Sequence, residues 1–285
     1  MTTSRLPAEV RSNLRICLAF VLAGLLTGQN FLFAYSSVAQ YGDRYIAAGE
    51  GHRLDILSSR GEVMDSVILS DGSECVKAVA VFKERLLLAG GLRVFSAAIE
   101  GGSLEILGTS AVPVRGNIVS MDADGSRCYA ITDSSEIAFT ENGNNWTVID
   151  FNESYRGFYP AISLVAIAAG QGSVAVVGVN EEGRPAMFTS SRGTVWSPRD
   201  MDYREDGTIQ LYTGRPTGLC YDPLGDQFVM LCEGGEMFYV PACSHCNHPE
   251  TVESCADAVI RDMCPADTYD FLIVGDAGFT LRLSR

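Results

Sequence analysis

Six apolar hairpins recur along the chain at near-even intervals, and this repetition restricts the fold more than any other feature. They read IAAGEGHRLDILSS (46–59), LLAGGLRVFSA (87–97), YAITDSSEIAFT (129–140), VVGVNEEGRPAMFTS (176–190), VMLCEGGEMFYV (229–240) and LIVGDAGFTLRLS (272–284). Their turn anchors, Gly49, Gly90, Asp133, Gly178, Cys232 and Gly275, stand 41, 43, 45, 54 and 43 residues apart. The first strand of each hairpin is rich in Val, Ile and Ala with little alternation, as expected of a strand buried on both faces. Another apolar strand and a short turn precede each hairpin. Several short strands per unit at a period of roughly 40–50 residues are the signature of a β-propeller. The sequence therefore predicts an all-β, six-bladed β-propeller, with seven blades as the alternative, as a single domain over residues 29–285. The 29 glycines among 285 residues suit many tight turns, and 47% hydrophobic against 20% charged residues exclude intrinsic disorder.

A second element follows three of the hairpins. Thr140-Glu141-Asn142-Gly143-Asn144-Asn145-Trp146 and Ser190-Ser191-Arg192-Gly193-Thr194-Val195-Trp196 align without a gap, and Ser58-Ser59-Arg60-Gly61-Glu62-Val63-Met64 joins them with Met for Trp. This element resembles the Asp-box (BNR) repeat, roughly S-x-D-x-G-x-x-W, of sialidases and of many non-enzymatic propellers. The Asp position holds Ser59, Glu141 and Ser191. The resemblance implies structural roles. The Ser58, Thr140 and Ser190 hydroxyls cap backbone amides, Gly61, Gly143 and Gly193 take a positive φ, and Trp146 and Trp196 pack between blades.

The N-terminus has two readings. Arg5, Arg11 and Arg15 precede an unbroken apolar run, Ile16 to Leu26, the pattern of a secretory signal peptide or an uncleaved anchor over residues 1–28. Eleven residues are too few to span a bilayer, which needs about 20. Alternatively, residues of about 11–26 supply the closing strand of the sixth blade, which otherwise stops at its third strand. The first reading places the protein outside the cytoplasm (secreted, periplasmic or lumenal), with membrane contact only through an uncleaved segment. The second allows a cytoplasmic location. The nine cysteines follow the same division: Cys243, Cys246, Cys255 and Cys264 have a spacing compatible with Zn²⁺ in a reducing compartment and with disulfides in an oxidising one.

In propellers the turns between second and third strands and the connections between blades line one mouth of the central channel. At these turns stand Glu50, Asp133, Glu181, Glu182, Glu233 and Asp276, five of six blades placing a carboxylate at one mouth. Such a ring attracts a cation or a basic peptide, while ordinary turn chemistry accounts for the same residues. The longest inter-blade connections carry Tyr155, Arg156, Tyr159, Arg204, Tyr212 and Arg215, residue types enriched at interface hot spots. A net charge of −14 argues against a nucleic-acid partner.

The function expected is a non-catalytic binding or assembly scaffold contacting a protein or glycan, with no cofactor. One alternative is a structural subunit of a surface or particle assembly. The other is a sialidase-like glycosidase, which needs three arginines to clamp a carboxylate; the only lookalike of that family's Arg-Ile-Pro element is Arg5-Leu6-Pro7, ahead of the repeats.

Overall fold

A computed structural model of the chain describes residues 34–69, 75–100, 103–205, 208–212, 214–242, 250–252, 259–267 and 270–284. Twenty-five strands form six antiparallel sheets and one extra hairpin. Blade 1 is β1–β4 (35–68), blade 2 β5–β8 (78–111), blade 3 β9–β12 (118–150) and blade 4 β13–β16 (162–199). The hairpin β17–β18 (202–211) follows. Blade 5 is β19–β22 (216–252) and blade 6 β23–β25 (260–284). The first strands, β1, β5, β9, β13, β19 and β23, adjoin one another in a closed ring, with β23 against β1. The fold is thus a β-propeller, and the count is six rather than seven. All six predicted hairpins are the second and third strands of their blades, and the 54-residue spacing is where β17–β18 is inserted.

Each pair of neighbouring blades encloses one apolar cluster, six clusters for six interfaces. The second strands are the apolar centre of every blade, as their unalternating sequences require; β10, for example, is buried along its whole length. The sixth cluster closes the ring by packing Tyr35, Val38, Tyr45 and Leu57 of blade 1 against Cys264, Ala266, Leu272 and Val274 of blade 6. The Tyr45 hydroxyl crosses the same seam to the Ala266 carbonyl. Burial on this scale makes interface packing the main stabilising term. Residues 16–26, read as signal peptide or closing strand, lie outside the described residues. Among the described residues blade 6 has three strands and blades 1 to 5 have four.

The glycine anchors have a steric cause. In five blades the first strand carries a β-bulge at its start, with Ser36, Val119, Val165, Thr217 and Arg261 as the extra residues. The bulge presses the first strand onto the end of the second. A Cβ on Gly49, Gly178 or Gly275 would overlap the backbone carbonyl of Ala34, Ser163 or Val259.

The three box-like turns join third to fourth strands. Ser58 Oγ accepts from the amides of Arg60 and Glu62, Thr140 Oγ1 from those of Asn142 and Gly143, and Ser190 Oγ from those of Arg192 and Gly193. In the second turn Asn142, one residue after the expected acidic position, caps the amides of Asn144 and Asn145 at 2.9 Å. Gly61, Gly143 and Gly193 have φ of 79°, 80° and 71°. Trp196 is buried in the cluster between blades 3 and 4, and Trp146 packs against that between blades 2 and 3.

Candidate functional site

The central channel is a cavity of about 330 Å³ lined by all six first strands. A first strand is an edge strand, and its channel-side N–H groups need partners. Side chains of the preceding blade supply several. Ser37 Oγ accepts from Val79 N (3.2 Å), Ser120 Oγ from Ile167 N (3.2 Å), Asp122 Oδ2 from Ala169 N (2.9 Å) and Asp262 Oδ2 from Val38 N (2.8 Å). The second oxygen of each aspartate accepts from the following amide, Ala123 N or Met263 N. Burial among protein atoms pushes both carboxyls up to about 7, against the lowering by these amide bonds. Asp262 therefore latches the seam between the last blade and the first. Sequence reading did not single out either aspartate as a strut; both are polar interruptions of otherwise apolar first strands.

At the mouth, three of the six predicted carboxylates pair with arginine. Glu182 meets Arg184 at 3.2 Å and Glu233 meets Arg215 at 3.7 Å. Asp276 takes both arms of Arg261, at 2.9 and 3.0 Å. The Arg261 guanidinium is held above its ordinary value chiefly by Asp276, with Glu233 and Glu50 adding to the field, so three of the predicted carboxylates gather around one cation. Asp133 accepts from the backbone and side-chain amides of Asn117 at 2.9 and 3.1 Å. Among the described residues Glu50, Asp133 and Glu181 make no ion pair. The expected acidic ring is thus half arginine–carboxylate pairs and half carboxylates without an ion pair.

One buried pair was not foreseen. Glu136 is 4% exposed and accepts from Arg115 N, Gly116 N, Ser134 Oγ and the Arg115 guanidinium. Burial alone would raise its carboxyl, but these donors outweigh it and hold it below its usual value. Arg115 also reaches Asp150. The fold gives these pairs one pattern: a residue at or just before the first strand meets the second-to-third turn of its own blade, as in Arg115–Glu136, Asn117–Asp133, Arg215–Glu233 and Arg261–Asp276.

The connection between blades 3 and 4 carries three of the residues predicted to make contacts, Tyr155, Arg156 and Tyr159. Asp150 Oδ1 caps a helical turn, Phe151–Ser154, by accepting from Glu153 N at 3.0 Å. Tyr155, Phe151, Phe188 and Tyr159 then follow one another with ring centroids 5.1, 5.0 and 5.2 Å apart. The Tyr155 hydroxyl accepts from Trp196 N at 2.6 Å. Tyr155 and Tyr159 are thus half-buried supports, and Arg156 pairs with Glu153 at 2.6 Å. In the same loop the Phe158 backbone N–H donates to the Tyr155 carbonyl at 2.9 Å and its side chain is 80% exposed; sequence reading passed over it because an apolar residue in a loop carries no periodic signal. Tyr212, predicted as a contact residue, is instead 7% exposed, stacked on Phe238 and bonded to Glu236. Arg204 lies on β17, of whose side chains nothing is described.

Cys264, grouped by sequence with a Cys243–Cys255 cluster, sits on β23 inside the seam cluster; Cys243, Cys246 and Cys255 lie outside the described residues. Cys75, Cys128, Cys220, Cys232 and Cys264 are all free thiols, so the disulfides read as possible from the cysteine count do not occur among them. Among the described residues no three His, Cys, Asp or Glu side chains are arranged to hold a metal, and no helix is long and apolar enough to cross a membrane.

No protein-family model and no curated protein sequence matches the chain. Solved structures do. The WD40 domain of Neurospora crassa Pan2 superposes with a TM-score of 0.58 at 6% identity, covering 87% of this chain and 74% of that one. YCF48 from Cyanidioschyzon merolae gives 0.55 at 14% identity, covering 88% and 85%. YCF48 bound to D1 peptide gives 0.58 at 12% identity, covering 89% and 94%. At such identities the similarity establishes the propeller fold alone.

Proposed function

We propose that the protein is a non-catalytic binding scaffold that takes up a segment of a partner protein on the mouth face. The observation that carries this reading is Phe158, an exposed aromatic whose backbone is bonded to Tyr155 of the aromatic cluster, on the face that bears the unpaired Glu50 and Glu181. Rigid exposed aromatics are the side chains that anchor interfaces, and unpaired Glu50 and Glu181 favour a segment with an apolar residue near basic ones. The likeness to YCF48, solved with a D1 peptide, agrees with a peptide or protein partner. The non-catalytic reading draws support from the arginines of this face: Arg115, Arg184, Arg215 and Arg261 are each spent on a carboxylate, whereas a sialidase-like site needs three free to clamp its substrate. The box-like turns belong to the same proposal, as structural Asp-box relatives rather than traces of an active site.

Selection from a random dodecapeptide display library against the full chain tests the reading. The selected peptides should combine an aromatic or aliphatic residue with Lys or Arg. Phe158→Ser should weaken them by at least tenfold, and joint Glu50→Gln and Glu181→Gln should reduce their salt dependence. Because Glu182 and Glu233 already have arginine partners, Glu182→Gln and Glu233→Gln should matter less. Peptides that bind Phe158→Ser as well as the parent protein overturn the proposal.

A further inference from the structure

The face opposite the mouth carries a groove of about 480 Å³ where turns of blades 2, 3 and 4 converge. Its volume lies within the range of roughly 300–1,000 Å³ typical of small-ligand sites. Three cations line it, one from each blade: Lys83 on the β5–β6 turn, Arg127 at the start of β10, and Arg192 on the β15–β16 turn. In a chain of net charge −14, such a convergence is against the general composition.

The groove is built. Lys83 Nζ donates to the Glu141 carbonyl at 2.6 Å, and Arg127 donates to the Arg192 carbonyl at 2.7 Å. The three turns are therefore tied to one another. Tyr129 lies beneath them so closely that a Cβ on Gly193 would overlap its ring. Lys83 and Glu84 hold φ of 50° and 63°, a tight-turn geometry that Asn-Gly would adopt with less strain. Lysine therefore occupies a position that its backbone disfavours, with its ammonium directed into the groove.

The charges do not cancel. Glu141 Oε1 is taken by Arg127 at 2.6 and 2.9 Å. Asp124 Oδ1 is taken by its own turn, accepting from Ser126 N, Ser126 Oγ and Arg127 N. Lys83 bonds only a neutral carbonyl, and among the described residues the exposed Arg192 guanidinium makes no ion pair. Two cationic groups, from blades 2 and 4 on either side of blade 3, thus face one cavity without an ion-pair partner, with Ser126 and Ser191 on its walls. Guanidinium and ammonium donors arranged around a concave space suit an oxyanion such as phosphate better than a neutral group.

We propose that this groove binds a phosphate group, either free or esterified to a partner's side chain. The site is independent of the mouth face, and its failure would leave the peptide-binding reading untouched. Isothermal titration of the full chain with inorganic phosphate, a phosphoserine heptapeptide and the same heptapeptide bearing glutamate distinguishes the sources. Saturable binding of phosphate and of the phosphopeptide alike marks a site for the group itself; binding of the phosphopeptide alone marks an esterified ligand. Arg192→Ala should weaken either at least fivefold, and Lys83→Ala at least threefold. Arg60 is the control, because it holds the same box position in blade 1 and lies outside the groove; Arg60→Ala should bind as the parent does. Thermal melting of each variant confirms that the fold is retained. Three results overturn the proposal: no saturable binding by either phosphate-bearing probe, equal binding by the glutamate peptide, or equal weakening by Arg60→Ala.

Discussion

Asp122 and Asp262 make a pH dependence that can be worked out from the channel. Both carboxyls are raised from 3.8 to about 7 in the fold. The folded state therefore holds their protons over a range in which the unfolded chain has released them. For a raised carboxyl the sign follows directly: its stabilising effect is fully present below about pH 4 and is lost as the pH rises through 7. The gap between 3.8 and about 7 corresponds to about 4 kcal/mol for each group, or about 2 kcal/mol where channel water screens part of the burial. Urea denaturation at pH 5.5 and pH 8.5, followed by tryptophan fluorescence, reads the effect. Other groups also titrate in this range, so the informative quantity is the difference between proteins. Asp262→Asn should reduce the loss of stability between the two pH values by about 1–2 kcal/mol, and Asp122→Asn similarly. Their effects should fall short of adding, because Asp122 is one of the groups that raise Asp262 across the channel both line. Variants that lose as much stability between pH 5.5 and 8.5 as the parent would refute the assignment of these carboxyls as buried struts.

Three further outcomes follow from the packing. Gly275→Ala drives a Cβ into the Val259 carbonyl at the closing blade and should cost about 1–3 kcal/mol by calorimetry, whereas Gly108→Ala, with open space around it, should change little. Glu136→Gln should lower the Tm clearly at pH 7. That loss should shrink as the pH falls below the ordinary 4.5, because a depressed carboxyl stabilises only while ionised. Iodoacetamide mapping of the native protein should label the half-exposed Cys75 and spare Cys128, Cys220 and Cys264, whose thiols burial pushes well above 9.0.

The blades were legible because a second strand buried on both faces must be apolar along its middle, and β2, β6, β10, β14, β20 and β24 are polar only at their ends. The anchors were legible because the bulged first strand leaves no room for a side chain at Gly49, Gly178 and Gly275. The box-like turns were legible because hydroxyl caps and a positive-φ glycine occupy fixed offsets. What sequence did not show is how charges are shared. An acidic residue in a turn has the same appearance whether water or an arginine 15 to 21 residues away neutralises it, and Arg261–Asp276 and Arg115–Glu136 become pairs only once the first strand returns beside its own turn. Tyr212 misled for a similar reason, since its place after the inserted hairpin buries it against Phe238. Phe158 has no pattern around it to mark it.

The division of labour between the two faces follows from the connectivity. Turns on the groove face join adjacent antiparallel strands and are short, several of them with residues held at positive φ, among them Lys83, Gln171 and Asp226. Their length is set by the hairpins, so their side chains are placed with little freedom. The mouth face also receives the connections from a fourth strand to the next first strand. These vary in length, and the connection between blades 4 and 5 accommodates β17–β18 without altering the ring on either side. The interface clusters take in anchors from these connections, Phe151 in one and Met201 and Tyr212 in another, so a mouth-side connection can lengthen between its anchors without opening an apolar seam. A loop such as 151–161 is therefore free to carry an exposed aromatic at small cost to the fold. The groove face, with its length constrained, can gain a ligand only by the choice of side chain within a fixed turn, and Lys83 and Arg192 are such choices.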